Sequence, residues 1–123
     1  MASFLLMVHS ANYANQSSRS ALKYAQAVIN RGHQLKAVFF YQDGVYHANA
    51  FADIPSDELD TQPGFNTLHC EHDIPLLLCV TAAEKRGTIN QQQDHRQAPS
   101  FTIAGLAEMA EIAAQTDYVV QFK

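Results

Sequence analysis

Cys79 is the side chain in this sequence best placed for nucleophilic chemistry, because a buried strand and a helix are predicted to meet at it. Residues 75–80 are apolar throughout and predict a strand, and residues 81–84 predict the start of a helix. The N–H groups and the dipole at a helix N-terminus stabilise negative charge, which favours the reactive thiolate of a cysteine placed there. Free cysteine is also a common packing residue, so the local sequence leaves both interpretations open.

A second group of chemistry-bearing side chains is formed by His69, Cys70 and His72. Two of them one helical turn apart could hold a metal ion, but a structural site needs at least a third ligand in suitable geometry. Glu71 and Asp73 do not share that helix face. The sequence therefore favours a solvated helix end without a metal, and Cys70 is interpreted as a structural residue.

His9 follows the first apolar run and could approach Cys79 as a base. A histidine whose ring is hydrogen-bonded at the end of a strand is the more frequent arrangement, so both interpretations remain. No serine lies in a Gly-x-Ser-x-Gly elbow, which disfavours a Ser-His-Asp hydrolase. Cys79 is left as the one credible nucleophile, and no cofactor is expected.

Polar residues after the first apolar run could in principle cradle a phosphate ahead of a helix. They are Asn12, Asn15, Ser17 and Ser18. This loop contains no glycine, so neither a dinucleotide-binding fingerprint nor a P-loop is present. Serines that cap the following helix account for the same residues, and capping is the preferred interpretation over phosphate or flavin binding.

Four apolar runs predict strands: residues 4–8, 35–41, 76–80 and 118–122. Each run is nearly continuous rather than alternating, which is typical of parallel strands that are covered on both faces. The sequence thus predicts an α/β fold, a mostly parallel sheet flanked by helices on both faces in a flavodoxin-like three-layer arrangement. The carboxyl ends of such strands gather ligands, and this edge would bring residues 9–14, 42–46 and 79–81 together.

Helical patterns separate the predicted strands. Apolar residues recur at helical spacing from 21 to 29, with Gly32 as the stop, and again from 103 to 114, with Ser100 or Thr102 as the cap. Another helix is expected within residues 60–71, and Asp43-Gly44 marks a turn. The polar stretch 87–99 predicts an exposed loop of possible functional importance.

The composition fits a single domain over residues 1–123, since 47% of the chain is hydrophobic. Its two cysteines cannot build a disulfide framework and match neither zinc-type nor Cys-x-x-Cys spacing, which indicates a reducing compartment. The short apolar run 4–8 has no basic residue before it and is ended by His9, so neither a signal peptide nor a membrane span is expected. The prediction is a cytoplasmic protein.

Charge disfavours direct binding to nucleic acid. The chain has eight Lys and Arg residues and twelve Asp and Glu residues, which gives a formal net charge of -4. The basic residues are scattered along the chain. There is no Trp, and most Tyr and Phe residues lie in apolar runs, so no base-stacking platform is evident. Any role in RNA chemistry would be indirect.

Several segments carry a resemblance that spans nearly the whole chain: residues 39–49, 78–83, 86–87, 101–106 and 117–122. In sequence and in order they resemble the DsrE/TusD family of sulfur-relay proteins. The first loop of that family often runs Gly-Pro-x-Tyr-Gly. Here it is Ser10-Ala11-Asn12-Tyr13-Ala14, which keeps the tyrosine and lacks both glycines.

The resemblance implies a small sulfurtransferase that accepts sulfane sulfur as a cysteine persulfide and passes it to a downstream carrier. Cys79 matches the family's sulfur-accepting cysteine. Members of the TusD type imply TusC-like and TusB-like partner subunits, a TusA-like donor, a TusE-like acceptor and an end use in tRNA 2-thiouridine. DsrE relatives imply sulfur oxidation instead, and a non-catalytic interaction subunit is the alternative from another class. Since a carrier protein must reach the accepting thiol, we expect Cys79 not to be fully buried.

Overall fold

The computed structural model describes residues 1–58, 60–88 and 98–123. The strands are β1 (Ser3–Val8), β2 (Gln34–Phe40), β3 (Leu76–Cys79), β4 (Phe101–Ala104) and β5 (Tyr118–Phe122). The helices are α1 (Ser17–Asn30), α2 (Gln62–His72), α3 (Val80–Lys85) and α4 (Leu106–Ala114), and a 3₁₀ helix, Gln42–Ala48, follows β2. None of the described helices is long and apolar enough to cross a bilayer.

The strands form one sheet in the order β4-β3-β2-β1-β5, and every neighbouring pair is parallel. Crossovers between parallel strands are right-handed, so the connections that step from β1 to β4 run over one face of the sheet. The connection from β4 back to β5 reverses direction and therefore places α4 on the opposite face. The predicted three-layer α/β fold is confirmed.

The strand register decides which way the side chains of β3 point. Leu78 pairs with Phe40, whose ring meets that of Phe65 in α2 at a centroid distance of 5.3 Å. Leu78 thus faces α1 and α2. Because successive side chains of a strand alternate between faces, Cys79 lies on the face that carries α4.

The segment after residue 98 differs from the sequence prediction. Residues 101–104 form β4 rather than the start of a helix, and the helix begins at Leu106 with Gly105 as its N-cap. The predicted cap at Ser100 or Thr102 is therefore wrong. Pairing with β3 and burial of Phe101, which is 3% exposed, outweigh the local helical pattern, and a four-residue strand is too short to show a period of its own.

The other predicted elements agree with the structure to within a few residues. The strand predicted to end at Val80 ends at Cys79, and the turn at Asp43-Gly44 is a 3₁₀ helix. Gly32 follows α1 with φ +79°, as a helix stop requires. The loop predicted at residues 87–99 lies for the most part outside the described residues.

Candidate functional site

Cys79 occupies the predicted strand-to-helix junction. It is the last residue of β3 and the N-cap of α3, with φ −63° and ψ 117°, and it is a free cysteine. Cys79 thus lies at the positive end of the α3 dipole, although its side chain makes no cap hydrogen bond to the helix. Local sequence produces this arrangement, because the apolar run ends at Val80 and the helix-forming residues 81–85 follow at once.

Cys79 borders a cleft of about 470 Å³ at the carboxyl edge of the sheet. Its walls come from the start of the 3₁₀ helix after β2, the end of β3, α3 and the start of α4, which join only in the folded chain. The lining residues are Tyr41, Gln42, Cys79, Thr81, Ala82, Lys85, Arg86 and Leu106. Cys79 is only 1% exposed, so the expectation that it is not fully buried is wrong. The strand packs the thiol into the sheet, and a partner protein reaches it only if the cleft opens.

Two cationic side chains give this cleft a positive wall. Lys85 is exposed, and Arg86 donates from Nε to Asp43 Oδ1 at 2.7 Å and from Nη1 to the Ala82 carbonyl at 3.2 Å. Asp43 is 63% exposed, so this ion pair contributes less to stability than to holding α3 against the 3₁₀ helix. An anionic sulfur in the cleft would be favoured by both charges.

His9 is engaged by amide side chains and not by Cys79. Its Nδ1 lies 3.2 Å from Gln42 Oε1, and its Nε2 lies 3.1 Å from Gln121 Oε1. The ring also meets Tyr41 edge-on at 5.8 Å. Of the two interpretations offered by the sequence, the structure shows the histidine hydrogen-bonded at a strand end.

The backbone at Gln42 is constrained where it lines the cleft. Gln42 adopts φ 52°, a left-handed conformation that non-glycine residues rarely adopt. Two residues later the chain passes so close to β1 that a Cβ at Gly44 would lie 2.1 Å from the carbonyl oxygen of Val8. The 3₁₀ helix is thereby fixed against the end of β1, and Gln42 is held at the cleft.

His47 is a buried histidine that the sequence analysis did not single out. Its Nε2 lies 2.9 Å from Ser18 Oγ and 3.0 Å from the Ser10 carbonyl, and its ring packs against Phe40 and Phe65. Burial lowers its pKa from 6.5 to about 4, against a smaller opposing effect of the hydrogen bond to Ser10. The imidazole is therefore neutral at physiological pH and joins the first loop, α1 and α2.

Ser17 and Ser18 are the first two residues of α1 and do not cap it, so the preferred interpretation of capping serines is wrong. Gln16 is the N-cap and makes no side-chain cap hydrogen bond. Ser18 Oγ instead donates to the Ala11 carbonyl at 3.2 Å and also contacts His47. The amide of Ser17 is bound by Asn15 Oδ1 at 2.8 Å.

At the end of α2, one side chain of the predicted His and Cys group is bound to the backbone. The ring of His69 bonds through Nδ1 to the Ile74 carbonyl at 3.0 Å, and Cys70 is exposed. Asp73 ends the helix with φ 56°. Across the described residues, no group of three or more His, Cys, Asp or Glu side chains is arranged to hold a metal ion.

Sequence reasoning identified Cys79 but missed the other residues of the cleft that carry charge. Lys85 is the last residue of α3 and Arg86 is its C-cap, and neither has a spacing that distinguishes it from a solvated face. Gln42 belongs to the segment predicted at the carboxyl edge, but its left-handed backbone has no signal in the sequence.

Comparison with known proteins agrees with this architecture. The model of the DsrE/DsrF-like family matches residues 2–122. Proteins named Sulfurtransferase TusD from Salmonella newport and Klebsiella pneumoniae are each 40% identical over 97% of this chain and 98% of their own length. The crystal structure of the ychN protein from E. coli superposes with a TM-score of 0.83 at 22% identity, covering 99% of this chain and 100% of that one, which shows a shared fold. The chain belongs to the DsrE/DsrF-like family.

Proposed function

We propose that this protein is a sulfurtransferase subunit of a sulfur relay and that Cys79 carries the sulfur as a persulfide. The observation that carries the proposal is a free thiol at a strand-to-helix junction, on the wall of a cleft that also holds Lys85 and Arg86. Relatives named Sulfurtransferase TusD, 40% identical over 97% of the chain, support the same activity.

The chemistry is thiol–persulfide exchange. The Cys79 thiolate attacks the outer sulfur of a donor persulfide, the donor's S–S bond breaks, and the donor cysteine leaves as a thiolate. The outer sulfur, with its proton, becomes the terminal sulfur of a persulfide on Cys79. An acceptor thiolate later repeats the exchange and restores the Cys79 thiolate, so no electrons are gained or lost overall.

The surroundings of Cys79 suit both states of this cycle. The N-terminus of α3 and the cationic side chains of Lys85 and Arg86 border the sulfur in both its thiolate and its persulfide form. The bond from Arg86 to Asp43 keeps one of these charges beside the cleft. The exchange itself requires no metal or organic cofactor, because the persulfide is the activated group.

Burial of Cys79 points to a role for partner proteins. At 1% exposure the thiol cannot meet a donor protein until the cleft opens, and docking of a partner would supply the free energy for that opening. We propose TusC-like and TusB-like subunits as the assembly partners, a TusA-like donor and a TusE-like acceptor, acting in the cytoplasm. The proposed end use is tRNA 2-thiouridine, with sulfur oxidation of the DsrE type as the alternative pathway.

One observation favours a second candidate function. A cysteine that is 1% exposed is also what inert packing would produce, and the protein would then be a non-catalytic interaction subunit of a Tus-type or Dsr-type complex. The two candidates differ in a single property, which is whether sulfur passes through Cys79.

Onward transfer of labelled sulfur tests the choice. A cysteine desulfurase, radiolabelled cysteine, a TusA-like donor and a TusE-like acceptor are incubated with the wild type, Cys79→Ser or Cys70→Ser, together with the TusC-like and TusB-like subunits. We expect label on the acceptor with the wild type and with Cys70→Ser, and none above background with Cys79→Ser. Equal labelling by all three proteins would favour the interaction subunit.

A further inference from the structure

A second cleft opens at the same edge of the sheet and shares no residue with the Cys79 cleft. Its volume is about 310 Å³, and it lies between the first loop, the start of α1 and the segment before α2. The lining residues are Asn12, Tyr13, Asn15, Gln16, Arg19, Ile54, Glu58 and Thr61. The proposed sulfur chemistry does not use this cleft.

The side chain of Asn12 has an unsatisfied hydrogen-bonding group in this cleft. The residue is 7% exposed, and its side-chain oxygen is buried without a hydrogen-bond partner in the described part of the chain. A buried polar atom left unpaired costs roughly 1–3 kcal/mol, and such atoms are rare in folded proteins. The oxygen and nitrogen of a carboxamide exchange places by rotation about χ2, so this side chain can present either an acceptor or an NH₂ donor to a ligand.

The N-terminus of α1 is open toward the same cleft. The helix has 14 residues, no acidic residue in its first turn and no side-chain cap on Gln16. Ser18, which could have capped it, is committed to the Ala11 carbonyl and His47. Asn15 accepts from the amide of Ser17 through Oδ1 and donates through Nδ2 to Ser10 Oγ at 3.2 Å, so it binds no other amide of the first turn. The remaining first-turn N–H groups and the positive end of the helix dipole favour a negatively charged ligand.

Arg19 adds a full positive charge to this wall. The one ion pair among the described residues joins Arg86 and Asp43, so the Arg19 guanidinium has no carboxylate partner there. A guanidinium presents a planar fork of donors that matches a phosphate or another tetrahedral oxyanion. Thr61, which is 1% exposed, lies on the opposite side of the cleft, where its hydroxyl is 3.5 Å from His47 Nδ1.

Glu58 lies in the same cleft and opposes an anion. It is exposed, so its charge is partly screened by solvent, whereas Asn12 is buried. The cleft therefore favours a compact anionic group at the Asn12 and Arg19 end over a ligand that is anionic along its whole length.

We infer that the Asn12 cleft is a binding site for a tetrahedral oxyanion, either free phosphate or the phosphate group of a small ester. The ion accepts hydrogen bonds from the first-turn amides of α1, from the Arg19 guanidinium and from the Asn12 carboxamide. The site is independent of sulfur transfer at Cys79.

Amide NMR titration of the full chain tests the inference, with inorganic phosphate and AMP as separate probes. We expect saturable shifts centred on the amides of residues 16–19. Arg19→Gln should weaken binding about tenfold, because a hydrogen bond to a charged group is lost. Glu58→Gln should tighten binding severalfold, since a like charge is removed.

Arg31→Gln, at the opposite end of α1, is the matched control and should bind phosphate as the wild type does. Arg19 and Glu58 are both exposed, so their variants should fold normally. Equal affinity for both probes assigns the site to the free ion, and tighter binding of AMP with added shifts at Tyr13 assigns it to an ester. Shifts that do not saturate, or that Arg19→Gln leaves unchanged, would overturn the inference.

Discussion

The two faces of the sheet are covered to very different extents. The face toward α1 and α2 is closed by packed rings, in which Phe40 meets both Phe65 and Phe101 edge-on and none of the three is more than 3% exposed. The other face carries α4 alone, and no residue of that helix is buried. Cys79 lies on this second face. The thiol that we propose to carry sulfur thus lies on the face that a single helix covers, away from the packed rings of the other face.

The α4 face also carries exposed apolar side chains beside the Cys79 cleft. Leu106 is 46% exposed and Val119 is 42% exposed, and Leu106 belongs to the wall of the Cys79 cleft. Exposed apolar residues next to a functional cleft are typical of a surface that binds another protein. The comparison predicts that changes on the α1 and α2 face lower stability, whereas changes on the α4 face alter access and association.

The largest expected effect is a loss of stability from a substitution on the face that α1 and α2 cover. Phe65→Ala should lower the free energy of unfolding by about 3–5 kcal/mol, because it leaves a cavity among buried rings. Met109→Ala in α4, where the side chain is only partly buried, should cost about 1 kcal/mol or less. Urea denaturation of the two variants measures the difference. Equal losses would show that both faces contribute alike.

The next effect is the pH dependence that comes from His47. Its folded pKa of about 4 is below the unfolded value of 6.5, so the unfolded state binds more protons between these values. Stability should therefore be full above about pH 6.5 and fall by about 3 kcal/mol as the pH drops toward 4. Urea denaturation at a series of pH values follows this loss. His47→Gln, less stable throughout, should lack this part of the slope, and an unchanged slope would exclude His47 as its source.

A smaller effect on stability, but a large one on assembly, is expected for Leu106→Glu. The side chain is half exposed, so the unfolding free energy should change by about 0.5 kcal/mol or less. A charge at this position should weaken association with TusC-like and TusB-like subunits, measured by light scattering of the mixture. Lys23→Glu on the exposed side of α1 is the control. Assembly unaffected by Leu106→Glu would exclude this part of the α4 face as the interface.

The last prediction concerns access to the two thiols in the unmodified protein and needs no substitution. In the isolated native chain, iodoacetamide should alkylate exposed Cys70 much faster than Cys79, which is 1% exposed. Peptide mapping after a short exposure separates the two sites, and denaturant should remove the difference. Addition of the partner subunits and the donor should accelerate alkylation of Cys79 if docking opens the cleft. Rapid alkylation of Cys79 in the native chain without partners would contradict the proposal that a partner must open the cleft.

The sequence predicted what depends on neighbouring residues and missed what depends on distant ones. The junction at Cys79 follows from one apolar run and the helix start behind it, and both are local signals. β4 was missed because its four residues become a strand only by pairing with β3.

The capping prediction failed for the same reason. Ser18 bonds to His47, 29 positions away, and no local pattern indicates that partner. The cleft charges of Lys85 and Arg86 were likewise unrecognised until the fold placed them beside Gln42 and Leu106.

The intact mass of the loaded protein tests the central claim most directly. Cys70→Ser, Cys79→Ser and the wild type are each incubated with a cysteine desulfurase, its carrier and cysteine, and then weighed without reductant. The account predicts an added mass of one sulfur atom on the wild type and on Cys70→Ser, and none on Cys79→Ser. A sulfur adduct that persists on Cys79→Ser, or that is absent from Cys70→Ser, would contradict it.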